Sequence, residues 1–177
     1  LRDGHRLPYD YLVLATGSAS SFFGQDNWRE HTLVLKTIED ALAIRARLLE
    51  AFERAEQSTD DAEIRRLLTF AIVGGGPTVE AIDPTGVVLG SERIDTGAVL
   101  WCAGTEARPA AEWLGIDGVR NGAVTVRSDC SVPGHPNIFA IGDVASFEAG
   151  GDERLPALAP VAKQQGTYVG KLLAARI

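Results

Sequence analysis

The sequence contains no methionine and only two cysteines, Cys102 and Cys130, in 177 residues. The two cysteines lie far apart and outside any Cys-x-x-Cys pattern. That excludes a disulfide scaffold and a thiolate metal cluster, and it fits a reducing compartment. Basic residues are outnumbered, 17 against 24 acidic, for a net charge of -7. Nucleic acid and polybasic membrane-surface roles therefore have no electrostatic support. Long apolar runs are missing too: the longest uncharged stretches, such as Leu67 to Val79, are too short to cross a bilayer as a helix. Repeats and low-complexity segments are absent, and no signal or transit peptide is expected at the start. The abrupt start at Leu1-Arg2-Asp3-Gly4 without an initiator leads us to expect a processed or trimmed chain.

What is present is an ordinary globular composition, 45% hydrophobic and 23% charged, sized for one domain or two small ones. Glycine is the exception. It numbers 19, about 11% against an average near 7%, and the excess gathers at the ends of apolar runs. Tyr9 to Ala15 reads as a strand buried on both faces of a parallel sheet, ending in Thr16-Gly17-Ser18. Leu67 to Val73 is a second such strand, ending in Gly74-Gly75-Gly76-Pro77-Thr78. Ala98 to Thr105 is a third, ending in the small residues Cys102-Ala103-Gly104, and Cys102 is expected to pack as a small buried hydrophobe. Asn137 to Ile141 is a fourth, ending in Gly142-Asp143.

Between the first two strands, Thr37 and Asp40 form a variant of the capping box. The helix that follows carries Ile38, Leu42, Arg45, Leu49 and Phe52 along one face, with Ala41, Leu48 and Ala55 beside them. It should end at the polar break Ser58 to Asp61. Asn121-Gly122 reads as a hairpin turn before a strand from Ala123 to Val126, and Ala149 to Asp152 as a surface loop. A terminal helix starts near Ala159-Pro160, with Val161, Ala162, Gln165, Tyr168, Val169, Leu172 and Leu173 recurring at intervals of three and four.

A strand feeding clustered glycines is how a dinucleotide-binding turn begins, because the glycines let a pyrophosphate approach backbone N–H groups. The helix that should follow does not materialise. Val79 takes the third glycine's place, and Pro84 and Gly86 cut short any helix. Val79 to Asp83, Val87 to Leu89 and Glu92 to Ile94 read instead as a strand followed by a hairpin. We therefore expect a block of residues to be missing between roughly Thr78 and Ala81.

The segments Leu7 to Ser18, Val73 to Thr78 and Ile138 to Ala145, in this order, resemble the flavoproteins with two dinucleotide-binding domains. Leu35 to Ala41 and Ala159 to Gly166 resemble, within that superfamily, type II NADH dehydrogenase, the non-proton-pumping NADH:quinone oxidoreductase. The resemblance implies an α/β, Rossmann-like FAD/NAD(P)-binding fold with two dinucleotide-binding domains, here incomplete. Residues 1–65 would be part of the FAD-binding domain with a connecting helix, 66–105 the remnant of the NADH-binding domain, and 106–177 the C-terminal part of the FAD-binding domain. It implies FAD and NADH as cofactors, and quinone as acceptor. It also implies a cytoplasmic protein, peripheral on the cytoplasmic face of the inner membrane through a tail beyond Ile177, and it admits a homodimer.

Residue by residue, Ala15, Thr16 and Gly17 would lie against FAD, with Gly142 and Asp143 at its ribityl chain. Gly74, Gly75 and Gly76 would approach the NADH pyrophosphate, and Ala103 and Gly104 the nicotinamide. Ala159 and Ala162 would bring the terminal helix toward the flavin, where a helix N-terminus stabilises negative charge. Gln164 matches a glutamine of the quinone site, whereas Pro160 replaces the family's earlier one. Glu80, tempting as the family's glutamate after the glycines, fits equally well in the strand before the hairpin. Two alternatives stay open: a related NAD(P)H-dependent flavin reductase with a soluble acceptor such as a ferredoxin or rubredoxin, and an inactive fragment. Alone, without the first phosphate-binding turn, the chain is not expected to hold FAD tightly.

Overall fold

The structure, a computed structural model, describes residues 6–74, 79–119, 121–150 and 153–177. In chain order its strands are β1 (Leu12–Leu14), β2 (Ser18–Ser20), β3 (Phe70–Val73), β4 (Ala81–Asp83), β5 (Gly86–Leu89), β6 (Glu92–Asp95), β7 (Ala98–Trp101), β8 (Thr105–Ala107), β9 (Val124–Val126), β10 (Ser131–Val132), β11 (His135–Ala140), β12 (Ala145–Gly150) and β13 (Glu153–Arg154). The helices are α1 (Ile38–Gln57), α2 (Asp61–Leu67), α3 (Ala110–Leu114) and α4 (Ala159–Ala174). They form two compact units. The first holds residues 1–19 and 106–177, the second residues 20–105.

In the first unit β1 runs parallel to β11, with Leu12 opposite Ile138 and Leu14 opposite Ala140. The other edge of β11 pairs antiparallel with β10. Ile138, Phe139 and Ala140 are all buried, as a continuous apolar strand in a parallel sheet requires. Alternation sends Ile138 and Ala140 into a core with Leu14, Val124 and Val144, and Phe139 into a second one with Val169 of α4. Fully burying side chains of this size stabilises by roughly 1.5–3 kcal/mol each. β9 pairs parallel with β12. The turn at Asn121-Gly122 closes as a hairpin turn does, with the Val119 N–H donating to the Ala123 carbonyl at 2.9 Å. It is held by the Gly122 N–H on the Val119 carbonyl and by Asn121 accepting from the Ala123 N–H. β12 and β13 pair antiparallel, so Ala149 and Gly150 of the expected surface loop belong to a strand, and the rest of it, 151–152, lies outside the described residues.

In the second unit β3 and β7 run parallel, Phe70 opposite Ala98 through Val73 opposite Trp101. β4, β5 and β6 make an antiparallel meander. The Glu80 N–H donates to the Val88 carbonyl, so the Glu80 backbone extends the meander, as the strand reading expects. In that meander Arg93 grips Asp83 at 2.7 and 3.0 Å and also reaches Asp95. The guanidinium, aided by the Thr85 N–H, holds the Asp83 carboxyl well below the usual carboxylate range. Phe22, Trp28, Ile82, Val87, Val99 and Trp101 form the core.

α1 begins as expected. The Thr37 side chain accepts from the Asp40 N–H, and the Asp40 carboxylate accepts from the Lys36 and Thr37 N–H groups. Those donors lower the Asp40 pKa. Its buried side is not the expected one. Ile38, Leu42, Leu49 and Phe52 are exposed, whereas Ala51 and Ala55 are buried. Periodicity identifies an apolar face, but only a neighbour can bury it, and Ala51 and Ala55 are small enough to let the helix pack closely. Leu42→Lys is accordingly expected to change stability by no more than about 0.5 kcal/mol, and Ala51→Leu to cost about 1–3 kcal/mol. Urea denaturation of the two variants checks the assignment; a larger loss in Leu42→Lys would reverse it.

Two further corrections concern the second unit. The break after α1 is short, because the Asp60 side chain accepts from the Ala62 N–H and caps α2. That helix takes up residues to Leu67, so β3 starts only at Phe70. β3 is also not buried on both faces: Ala71 and Val73 pack against the core, but Ile72 is 71% exposed.

Candidate functional site

Adjacent parallel strands bring their carboxyl ends together, which is where open α/β sheets bind ligands. Each unit does this with one pair of the four glycine-rich tips.

In the first unit the Ile141 N–H donates to the Leu14 carbonyl at 3.0 Å, carrying the β1–β11 pairing to its end. Gly142 then turns the chain with φ +71°, a left-handed conformation that favours glycine. Its N–H donates to Gln165 Oε1 at 2.7 Å. A Cβ at Gly142 would lie 3.3 Å from the Ala162 Cβ, so the first turns of α4 seat directly on this bend. Asp143 is half-buried, and its Oδ2 accepts from Ser18 Oγ at 2.7 Å. Gly17 has φ +68° with nothing within 4 Å of a notional Cβ, so open space faces it. Ala15, Thr16 and Ala159 are exposed, and Ala162 is half-buried.

Gln164 is exposed, and the glutamine that reaches the tip is Gln165, buried to 8%. Sequence reasoning singled out Gln164 for the quinone and placed Gln165 only on the apolar stripe of α4, although a signal for its role at the tip was there. A polar residue on the apolar stripe of α4 must find a buried partner, and the Gly142 N–H is that partner. Ser18 was missed as well. Nothing in a lone serine after a strand distinguishes it until Asp143 is brought alongside.

In the second unit the Cys102 N–H donates to the Val73 carbonyl at 2.7 Å. A Cβ at Gly74 would stand 3.2 Å from the Cys102 Cβ, so the glycine lets the two tips close up. Cys102 is exposed and not packed inside, because β7 ends at Trp101. Cys130 is the buried thiol; burial raises its pKa, and both cysteines are free. Gly75 and Gly76 lie outside the described residues. A cavity of about 840 Å³ opens against β3 and β7, lined among others by Gly74, Phe23, Trp101, Cys102, Ala103 and Gly104. Its size is that of a small-molecule pocket. Phe23 sits at its mouth with φ +54°, a conformation that costs a bulky residue of order 1–3 kcal/mol.

The paired tips of the two units differ chemically. The first offers a carboxylate, a sharp backbone bend and a helix N-terminus, suited to hydroxyl groups and to negative charge. The second offers an apolar, aromatic slot suited to flat rings. Among the described residues, no cluster of His, Cys, Asp or Glu could hold a metal ion. No helix among them is long and apolar enough to cross a membrane.

The sequence profile of the pyridine nucleotide-disulphide oxidoreductases matches residues 77–166, just over half of the chain. The chain belongs to that family.

Two curated relatives of this pyridine nucleotide-disulphide oxidoreductase come from Mycobacterium tuberculosis. The type II NADH:quinone oxidoreductase Ndh is 29% identical over 98% of this chain and 53% of its own length. The type II NADH:quinone oxidoreductase NdhA is 31% identical over 77% of this chain and 46% of its own. The chain thus spans about half the length of the curated relatives it matches. The alignment with Ndh runs over 249 positions, more than the 177 residues available, so it must open gaps in this chain.

The fold is the Rossmann-like α/β fold of the family. A structure of NDH2 from Plasmodium falciparum in complex with NADH superposes with a TM-score of 0.67 at 18% identity, covering 80% of this chain and 45% of that one. An FAD-dependent pyridine nucleotide-disulphide oxidoreductase from Desulfovibrio vulgaris gives 0.63 at 19% identity, covering 99% and 57%.

Proposed function

We propose that the whole protein is an FAD-dependent NADH:quinone oxidoreductase of type II. The observation that carries this reading is the likeness to the Mycobacterium tuberculosis enzyme along 98% of the chain, together with Asp143 held at the paired tips of β1 and β11. The residues present fit the cofactor. Asp143 would accept hydrogen bonds from the ribityl hydroxyls, and Gly17 and Gly142 would let the backbone come close. Ala159 and Ala162, in the first turn of α4, would place the positive end of a helix dipole beside the isoalloxazine. When bound, the flavin supplies the two-electron chemistry. Gln165 keeps the Gly142 bend and α4 in register, and the exposed Gln164 faces outward, where a quinone would arrive.

In the second unit Gly74 would approach the NADH pyrophosphate and Ala103 with Gly104 the nicotinamide. We read β3, β7 and the meander as part of the NADH-binding domain, from which a block present in the relatives is missing between Thr78 and Ala81. The gapped alignment, the exposed Ile72 of β3 and the exposed apolar stripe of α1 support this. We place the protein at the cytoplasmic face of the inner membrane, because its acceptor dissolves in lipid and its donor in water.

Asp143→Ala in the full-length gene product is expected to lower flavin content and NADH-dependent reduction of a short-chain quinone at least tenfold, about 1.4 kcal/mol. Unchanged flavin content would overturn the cofactor assignment. Reduction of ferredoxin in preference to quinone by the unmodified protein would favour the soluble-acceptor alternative instead.

A further inference from the structure

We propose that Phe23 is a displaceable cap over Gly104, an aromatic side chain that occupies the face of the pocket where a flat ring of the incoming ligand is meant to lie. The proposal rests on the nucleotide reading of the cavity given above, and adds a residue that controls access to it.

Five observations within the second unit carry it. The Phe23 ring lies against Gly104 so closely that a Cβ there would clash with three of its ring carbons. Gly104 has φ +66°, so the tip of β7 presents bare backbone, and the ring is what covers it. The same ring meets Trp101 edge-on, with centroids 6.3 Å apart. This is an ordinary aromatic pairing, and a planar ligand ring could reproduce it. Nevertheless the side chain is 70% exposed, so burial does little to hold it. Its backbone sits at φ +54°, in a region that β-carbon sterics disfavour.

The neighbouring Phe22 shows the contrast. It is 1% exposed, stacks on Trp101 at 5.0 Å and belongs to the core. Two consecutive phenylalanines therefore have opposite roles: Phe22 is fixed, and Phe23 covers a glycine from outside under backbone strain. A residue so placed leaves readily when a competing ring arrives. A reduced nicotinamide ring matches it in size, flatness and aromatic-edge contact. In the ligand-free protein the cap keeps water off Gly104 and Trp101, and binding exchanges one ring for another.

The cap makes binding of the ring-bearing half of the nucleotide weaker than it would otherwise be, since some of the binding free energy goes into moving Phe23. The test is fluorescence titration of the full 177-residue chain and its Phe23→Ala and Phe23→Leu variants, following quenching of tryptophan emission from Trp101 and Trp28. NADH and ADP-ribose, which lacks the nicotinamide, are the two probes. The expected result is an NADH Kd at least threefold lower in Phe23→Ala, close to the original in the bulk-retaining Phe23→Leu, and an ADP-ribose Kd the same in all three. Circular dichroism confirms that the variants are folded. An unchanged or raised NADH Kd in Phe23→Ala overturns the cap while leaving the nucleotide site in place. A Kd for ADP-ribose that falls in parallel also overturns it, because the effect would then not concern the ring. Absence of NADH quenching in all three proteins overturns the nucleotide reading of the cavity and the cap with it.

Discussion

Trp101→Ala is expected to destabilise the second unit by about 3–5 kcal/mol. The indole is buried to 4% at the end of β7. It stacks on Phe22 at 5.0 Å and meets the edge of Trp28 at 5.7 Å. Aromatic pairs of this kind add roughly 0.5–1.5 kcal/mol beyond the area they bury. Its Nε1–H also donates to the Ser21 carbonyl at 2.9 Å, and that acceptor would lose its partner. Truncation leaves a cavity that Phe22 and Trp28 cannot both fill, since each is fixed by its own packing. Urea denaturation followed by far-ultraviolet circular dichroism checks this without relying on the indole that has been removed. A loss below about 1 kcal/mol, the ordinary size for a surface change, would mean that Trp101 is not the keystone of this core.

Gly142→Val should be the most damaging substitution in the first unit, with an expected loss of at least about 3 kcal/mol. Three effects coincide there. At φ +71° a β-branched residue is a steric outlier. The new Cβ would start 3.3 Å from the Ala162 Cβ, and its γ-methyl groups would push α4 away. Displacing the helix would also break the 2.7 Å bond from the half-buried Gly142 N–H to Gln165, leaving the buried glutamine side chain without that partner. These effects share atoms and will not add. Gly170→Ala provides the control. Gly170 lies within α4 with nothing within 4 Å of a notional Cβ, so alanine there should stabilise by about 0.5–1 kcal/mol. If Gly142→Val melts no earlier than the unmodified protein, the bend is not what seats α4. In the full-length gene product the same variant should lose flavin along with Asp143→Ala.

The site was legible in the sequence to different depths at different residues. The order of the four glycine-rich tips identified which strand ends matter, because a run of buried apolar residues ending in glycines has few structural uses. Gly142 and Asp143 were read as a strand end whose carboxylate accepts hydrogen bonds, and the structure adds the Ser18 hydroxyl that Asp143 accepts from. Gln164 and Gln165 could not be separated by composition. The choice depends on a rotation of one residue about the α4 axis, which only packing against β11 fixes. The same limitation turned α1 around: its strongest apolar stripe is the exposed one. Helical period reports which residues share a face, not whether anything covers it.

Local chemistry, written in neighbouring residues, determined the Thr37–Asp40 cap, the β4–β6 meander and the strand tips. It did so because each depends on contacts between residues only a few positions apart. Tertiary structure alone decided that Ser18 meets Asp143, 125 positions away, that Gln165 reaches Gly142, and that Phe23 covers Gly104. These contacts join segments widely separated in the chain. Their geometry follows from how the strands and helices pack, and neither partner carries a mark of the other in its own surroundings.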